Sequence, residues 1–149
     1  MSGLRIPGFC LVMALTLALS ACQSAPGAST HPDDALTNTY WKLVSVGGHS
    51  VQVQPNRREP HLVLVNEGQR VQGFAGCNSL SGRYRQDDEQ LRFEQIVTTR
   101  MFCADQMSTE QAFLDALKRS VQAHIERNQL TLLDAGGRSL AHFESRVMQ

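Results

Sequence analysis

Apolar and polar positions alternate along most of the chain between Thr39 and Phe143, and a period of two is typical of half-buried β-strands. Turn residues such as Gly47-Gly48 interrupt this alternation at short intervals. The pattern therefore predicts antiparallel strands, of which the last three form a meander. The predicted strands cover Tyr40–Val46 and residues 61–66, 69–75, 79–85, 90–94, 123–127, 130–133 and 139–143.

One segment has helical spacing instead. Ser108 and Gln111 fit a capping box, with Ser108 as the predicted N-cap, and Phe113, Leu117 and Val121 follow on one face. This stripe could be a partner-binding face, but such a stripe on a globular domain more often faces the core. We therefore predict an α+β fold, a small, strongly curled, barrel-like antiparallel sheet with one main amphipathic helix.

The first residues have the pattern of an export signal. Residues 9–19 are almost continuously apolar, a run too short for a permanent membrane span and typical of a signal-peptide core. The tetrapeptide at 19–22 (LSAC) resembles the bacterial lipobox, in which the cysteine is lipidated and the chain is cut before it. A cleaved signal with a chance cysteine and an uncleaved apolar start are the alternatives. We predict a lipoprotein signal peptide at 1–21 and lipidation of Cys22.

The segment after the predicted acceptor has the composition of a tether. Residues 22–38 include Pro26 and Pro32 and hold too few apolar side chains to form a core. Gln23 follows the acceptor cysteine, and this resembles the signals that send Gram-negative lipoproteins to the outer membrane. We expect one domain over 39–149, held by a lipid anchor in the outer membrane and facing the periplasm.

The charge balance gives no sign of a nucleic-acid partner. Lys and Arg together number 14, as do Asp and Glu, so the net charge is zero. No long basic run occurs, and basic residues are not interleaved with aromatic ones. We expect no nucleic acid among the partners, and we expect a monomer.

Two cysteines remain after the signal is removed and Cys22 is lipidated. In an oxidising compartment, Cys77 and Cys103 are expected to form a disulfide. A pair of buried free thiols is the alternative, because spacing alone does not show whether the two sulfurs meet. A catalytic cysteine is the third interpretation, and it lacks a histidine in a partner motif.

Four short motifs follow one another along the predicted domain: WKL at 41–43, VQGFAGCN at 71–78, SGRY at 81–84 and TTRMFC at 98–103. In this order and spacing they resemble the META domain, also called the HslJ-like family of heat-shock lipoproteins. The resemblance covers nearly all of residues 39–143 and implies a small α+β domain in the bacterial envelope. It also implies links to heat shock and novobiocin tolerance, without an established enzymatic activity.

The glycines of this signature have a physical explanation of their own. Gly73, Gly76 and Gly82 fall in strand-like segments, where glycine marks a bend, a bulge or the close approach of another backbone. The side-chain amide of Asn78 can satisfy a bent backbone. A glycine-rich binding lip is the functional alternative, and we favour the structural role.

No residue spacing predicts catalysis, a metal or a cofactor. The histidines form no HExxH motif, CxxC is absent, and no phosphate loop or nucleophile elbow occurs. Arg100 is the charged residue inside the TTRMFC motif, and the other motifs include the aromatic residues Trp41 and Tyr84. We expect Arg100 to hold a carboxylate or carbonyl within the fold, with a place in a binding site as the alternative.

These patterns lead to a functional expectation. The chain is expected to be a non-catalytic envelope lipoprotein that supports tolerance of heat or drugs by binding an envelope protein or lipid. The alternative is a lipid-binding or pilot-type lipoprotein that assists an outer-membrane assembly or secretion machine. An apolar cavity inside the sheet would favour the alternative, and a filled interior would favour the first.

Overall fold

The computed structural model describes residues 33–146. The predicted signal peptide and Cys22 lie outside these residues. Within them, no helix is long and apolar enough to cross a membrane. The elements are β1 (Tyr40–Val46), β2 (His49–Ser50), β3 (His61–Val65), β4 (Arg70–Phe74), β5 (Ser79–Asp87), β6 (Gln90–Thr98), α1 (Met107–Arg119), β7 (Gln122–Glu126), β8 (Gln129–Leu133) and β9 (Ser139–Arg146).

The sheet closes into a ring of antiparallel strands. Its order is β2-β1-β3-β4-β5-β6-β7-β8-β9, and β1 also pairs with β9. The closing register joins Tyr40 to Arg146 and Val46 to Ala141. The register of β6 and β7 contains a single residue pair, Gln90 with Gln122, and α1 lies between these two strands in the sequence. The predicted α+β class, with its curled barrel-like sheet and one main helix, is confirmed.

The interior of the ring is filled by apolar side chains. Trp41, Phe113 and Phe143 are fully buried in one cluster, and the rings of Phe113 and Phe143 lie 5.6 Å apart. The helix contributes Phe113 and Leu117 and packs against β1, β6, β8 and β9. The stripe predicted on the helix is therefore core, as expected for a helix that covers a curled sheet.

The helix begins earlier than the capping box predicts. It starts at Met107 with Gln106 as N-cap, no side chain caps it, and Ser108 lies inside the first turn. The amides of Gln106 and Met107 both donate to the carbonyl of Cys103, so a turn anchored at Cys103 leads directly into the helix. The helix also ends before Val121, which was predicted on its buried stripe.

Residues before the predicted domain boundary at Thr39 already form hydrogen bonds with the barrel. The amide of Asp34 donates to the Arg127 carbonyl at 2.8 Å, and the amide of Asn38 donates to the Leu64 carbonyl at 2.7 Å. The carbonyl of Leu36 accepts the indole N–H of Trp41 at 2.9 Å. Residues 33–38, predicted as part of the tether, are therefore hydrogen-bonded to the domain.

The up-and-down strand order gives the barrel two distinct ends. The turns β3–β4, β5–β6 and β7–β8 lie at one end, which we call the base, and the described chain enters there beside Arg127. The connections β4–β5, β6–α1 and β8–β9 lie at the other end, which we call the top. The two cysteines belong to the top, since they fall in the first two of these connections.

Candidate functional site

A disulfide ties together two connections at the top of the barrel. Cys77 and Cys103 are bonded, with an S–S distance of 2.03 Å and Cα atoms 5.7 Å apart. Cys77 lies in the turn between β4 and β5, and Cys103 lies between β6 and α1. This is the expected pairing, and it leaves neither sulfur as a free thiol for catalysis.

A buried carboxylate from the helix joins the same turn. Oε2 of Glu110 accepts the backbone amides of Cys77 at 3.2 Å and Asn78 at 2.7 Å, while Oε1 accepts the Asn78 side-chain amide at 2.8 Å. Glu110 and Asn78 are both buried. Three hydrogen bonds therefore compensate the desolvation of the carboxylate.

Asn78 connects this buried group to the segment before the second cysteine. Its Oδ1 accepts the Met101 amide at 2.7 Å and the Thr99 hydroxyl at 2.8 Å. Its Nδ2 also donates to the Met101 carbonyl at 3.1 Å. We use the term latch for Cys77, Asn78, Cys103 and Glu110, which together fix the segment 99–106 against the top of the barrel.

Sequence reasoning missed Glu110, although the sequence contained a signal for it. Glu110 lies three residues before Phe113 and seven before Leu117, so it shares the helix face that enters the core. A charged residue on an apolar helix face needs a buried partner. The partner is the turn that follows β4, and only the folded topology brings it to the helix.

The latched segment presents an apolar tip to solvent. The side chain of Phe102 is 83% exposed and that of Met101 is 58% exposed. The residues on both sides of Phe102 are fixed, Met101 by Asn78 and Cys103 by the disulfide. The exposed ring is therefore held by a short and constrained piece of backbone. It lies beside Arg57, which lines the same small surface cleft.

Two of the signature glycines lie where a side chain would meet the backbone of a neighbouring strand. A Cβ on Gly73 would lie 2.1 Å from the carbonyl oxygen of His61 on the neighbouring strand. A Cβ on Gly82 would lie 2.9 Å from the carbonyl oxygen of Glu94, at the register shift between β5 and β6. Gly76 precedes the latch with φ of 126°, a conformation that side chains rarely adopt.

The remaining signature residues lie away from the latch. Trp41 is a core residue, and Tyr84 is buried with its hydroxyl 3.4 Å from the Val65 carbonyl. Burial raises the pKa of Tyr84. Arg100 is exposed, and within residues 33–146 its guanidinium forms no ion pair. The expected role of Arg100 as an internal anchor is therefore wrong for the described part of the chain, because its side chain points to solvent.

The described residues show no constellation for metal chemistry. Within residues 33–146, no three His, Cys, Asp or Glu side chains are grouped so that they could hold a metal ion. No buried side-chain nitrogen or oxygen in this part of the chain lacks a hydrogen-bond partner. The polar groups of the latch are thus hydrogen-bonded within the fold. The feature beside the latch that is exposed to solvent is the apolar tip.

Comparison with known proteins identifies the family. The family model of the META domain matches residues 34–147 of this chain. The chain belongs to the META domain family. The match starts within the segment predicted as a tether, in agreement with the hydrogen bonds that join residues 33–38 to the barrel.

Relatives of this META chain include the heat shock protein HslJ of Escherichia coli strain K12. The two are 29% identical over 125 residues, which cover 83% of this chain and 86% of HslJ. Solved structures share the fold. An NMR structure of a protein from Burkholderia xenovorans matches with a TM-score of 0.61 and 27% identity, covering 76% of this chain and 85% of the other.

A more distant structure shares the fold alone. The crystal structure of a DUF4847 family protein from Bacteroides vulgatus matches with a TM-score of 0.56 at 12% identity, covering 76% of this META chain and 96% of the other. The two proteins therefore share the barrel and its helix although few of their residues are identical. Such persistence fits an architecture held by burial pattern and strand register.

Proposed function

We propose that this META-domain chain is a non-catalytic lipoprotein of the bacterial envelope that binds another envelope component through the tip of its latched segment. The observation that supports this proposal is Phe102, which is 83% exposed although both of its neighbours are fixed. Large apolar side chains exposed on a rigid frame are typical anchors of binding surfaces.

The rigidity of the tip favours binding for a thermodynamic reason. A flexible loop loses conformational freedom when it docks, and this loss weakens the complex. The disulfide and Asn78 remove much of that freedom during folding of the free protein. Burial of an aromatic ring contributes about 1.5–3 kcal/mol, so one pre-organised phenylalanine is a sizeable part of a moderate affinity.

The location and the cellular role rest on three supports. The lipobox-like tetrapeptide at 19–22 favours lipidation of Cys22 and an outer-membrane anchor facing the periplasm. A structural disulfide fits an oxidising compartment. The relative HslJ is named as a heat shock protein, so we extend tolerance of heat or of bulky drugs to this chain as part of the proposal.

The pilot-type or lipid-carrying alternative is less favoured. It needs an apolar cavity that can hold an acyl chain or a peptide. Fully buried Trp41, Phe113 and Phe143 occupy the interior of the described barrel as one cluster. The proposed binding therefore takes place on the outside of the domain.

Complementation of a deletion strain tests the proposal. Strains that express the wild-type chain, Phe102→Ser or Cys22→Ser at equal abundance are challenged with heat and with a bulky antibiotic. We expect the wild-type chain to restore growth, and both variants to fail, because one loses the tip and the other the anchor. Val97→Ser is the matched control, since Val97 is 61% exposed on β6 outside the tip.

The complementation results can also contradict the proposal. Full rescue by Phe102→Ser would show that the function does not need the apolar tip. Full rescue by Cys22→Ser, with the protein still in the membrane fraction, would contradict the proposed lipid anchor at Cys22. A folded Cys77→Ala, Cys103→Ala protein that stays anchored but loses all activity would favour a thiol-based function over binding.

A further inference from the structure

Four arginines gather on the outer face of the sheet, across β4, β5 and β6. The registers place Arg70 directly opposite Arg83, and Arg85 directly opposite Arg92. Arg83 and Arg85 are two residues apart on one strand, so all four side chains project from the same face. The chain as a whole has no net charge, and this local concentration of cations is therefore a specific feature.

Neighbouring carboxylates compensate part of this charge. Arg85 pairs with Glu94, its Nε lying 2.8 Å from Oε1, and Glu94 also lies opposite Arg83 in the register of β5 and β6. Within residues 33–146, the guanidinium groups of Arg83 and Arg92 form no ion pair. Like charges directly opposite each other destabilise an antiparallel pair of strands. An anion bound between these two pairs on neighbouring strands would offset the repulsion.

The shape of the surface fits a ligand with several acidic groups. An open groove of about 690 Å³ is lined by three arginines, two carboxylates and several amide-bearing side chains. The arginines are Arg83, Arg85 and Arg92, the carboxylates are Asp87 and Glu94, and the amides include Gln69, Gln90 and Gln95. Arginine and amide N–H groups are donors, and a guanidinium binds a phosphate through two parallel hydrogen bonds. The groove thus offers donors over an area larger than one phosphate.

The position of the groove favours an anion that belongs to the membrane, namely a lipid headgroup. Arg70 opens β4 and Arg92 lies near the start of β6, so the cluster is close to the base of the barrel. The described chain enters the domain at the base, beside Arg127. Phe102 belongs to the top, so contact of the groove with a membrane leaves the apolar tip directed away from that membrane.

We propose that the arginine groove binds the phosphate groups of anionic phospholipids on the membrane to which the chain is anchored. This inference rests on the proposed lipid anchor and adds a second contact with the same surface. The anchor sets a high local concentration of headgroups, so even weak phosphate contacts orient the domain. The groove acts as an orienting surface, and the tip remains available to the envelope partner.

The single tryptophan, Trp41, provides the readout. The full-length lipidated chain is reconstituted into phosphatidylcholine vesicles with or without one third phosphatidylglycerol, each with a dansyl-labelled headgroup lipid. Energy transfer from Trp41 to dansyl reports the approach of the domain to the surface. We expect transfer to rise about twofold with phosphatidylglycerol and to fall back in about 1 M salt, where charges are screened within about 3 Å.

Paired variants assign the effect to the groove. Arg83→Gln with Arg92→Gln is expected to abolish the response to phosphatidylglycerol. Arg57→Gln with Lys118→Gln removes the same charge from exposed positions outside the groove and is expected to retain the response. Inorganic phosphate that reverses the response more than chloride at equal ionic strength would show that the groove recognises free phosphate as well as headgroups.

Two results would overturn the arginine-groove proposal, and they differ from failure of the anchor. Equal energy transfer in both kinds of vesicle, or an unchanged response in the groove variant, would exclude headgroup binding there. Failure to float with pure phosphatidylcholine vesicles would instead contradict the anchor. In that case, flotation of the wild-type chain with phosphatidylglycerol vesicles, and loss of flotation in the groove variant, still decides the role of the arginines.

Discussion

Asn78 holds the main chain of Met101 through both atoms of its side-chain amide. Oδ1 accepts the Met101 amide at 2.7 Å, and Nδ2 donates to the Met101 carbonyl at 3.1 Å. The side chain thereby replaces a neighbouring strand at the point where β6 has ended. Because Asn78 also binds buried Glu110, the helix, the turn after β4 and the exposed tip form one connected network.

Asn78→Asp is expected to break this network while it preserves the size of the side chain. The change removes the donor to the Met101 carbonyl and places a carboxylate against Oε1 of Glu110, which lies 2.8 Å from Nδ2 in the wild type. We expect the free energy of unfolding to fall by about 2–4 kcal/mol, measured by urea denaturation. Asn128→Asp, at an exposed turn, is the control, and an equal loss in both variants would contradict the network.

Removal of the disulfide is expected to lower stability without changing the fold. The bond spans 26 residues, and the chain-entropy relation gives about 3.5 kcal/mol for a loop of this length. Cys77→Ala with Cys103→Ala should shift the denaturation midpoint by the corresponding amount and leave the circular dichroism spectrum of a β-rich domain. Alkylation of both cysteines in the denatured, unreduced wild-type protein would show instead that the bond is absent.

Gly73→Ala tests the close approach of β3 and β4. The added Cβ would meet the His61 carbonyl oxygen at 2.1 Å. Because β4 pairs with β3 on one side and with β5 on the other, relief requires separation of the strands. We expect a loss of about 3 kcal/mol or more, which exceeds the usual range for overpacking. Gly136→Ala is the matched change in a turn, where the nearest atom is a side-chain oxygen at 3.3 Å. Similar thermal midpoints for both variants would contradict this explanation.

His61 is expected to make the domain less stable in acid. Its ring is buried and stacked on Tyr40 at 4.3 Å, and burial lowers the pKa of His61 below its usual value of about 6.5. The unfolded chain therefore binds a proton first as the pH falls. The contribution of His61 is complete above pH 6.5 and is lost as the pH falls from there through the folded-state pKa.

The measurement for His61 is the free energy of unfolding as a function of pH. His61→Asn cannot titrate, and its amide can still donate to the Glu59 carbonyl, which lies 2.9 Å from Nδ1 in the wild type. The slope below pH 6.5 should be smaller in this variant than in the wild type. The exposed residue His49 offers the control His49→Asn, and an identical slope in the wild type and His61→Asn would exclude the buried ring as the cause.

The sequence predicted the local elements well and the connections between them less well. The predicted bounds of the first strand, Tyr40–Val46, match β1, because the alternation of Trp41 and Leu43 with their polar neighbours is a local signal. The register shift after Leu43 was not predicted, and it buries Val46 on the same side as Trp41. The helix start was misplaced, because the turn at Cys103 depends on a disulfide partner 26 residues away. Local capping signals carry no information on such a partner.

Features that depend on strand register were not visible in the sequence. Arg70 and Arg83 become neighbours only through the pairing of β4 with β5. Closure of the ring by β1 and β9 likewise joins segments from opposite ends of the domain. The exposure of Phe102 was not predicted either, because it depends on how the disulfide and Asn78 hold the segment 99–106.

Photocrosslinking from position 102 in growing cells tests the central claim most directly. A photoreactive phenylalanine replaces Phe102 in the full-length chain, and the same residue is placed at Lys118 on the exposed helix face as the control. We predict a discrete adduct from position 102 with one envelope component, and no such adduct from position 118. A folded, membrane-bound protein that gives no adduct from position 102, or equal adducts from both positions, would contradict binding through the latched tip.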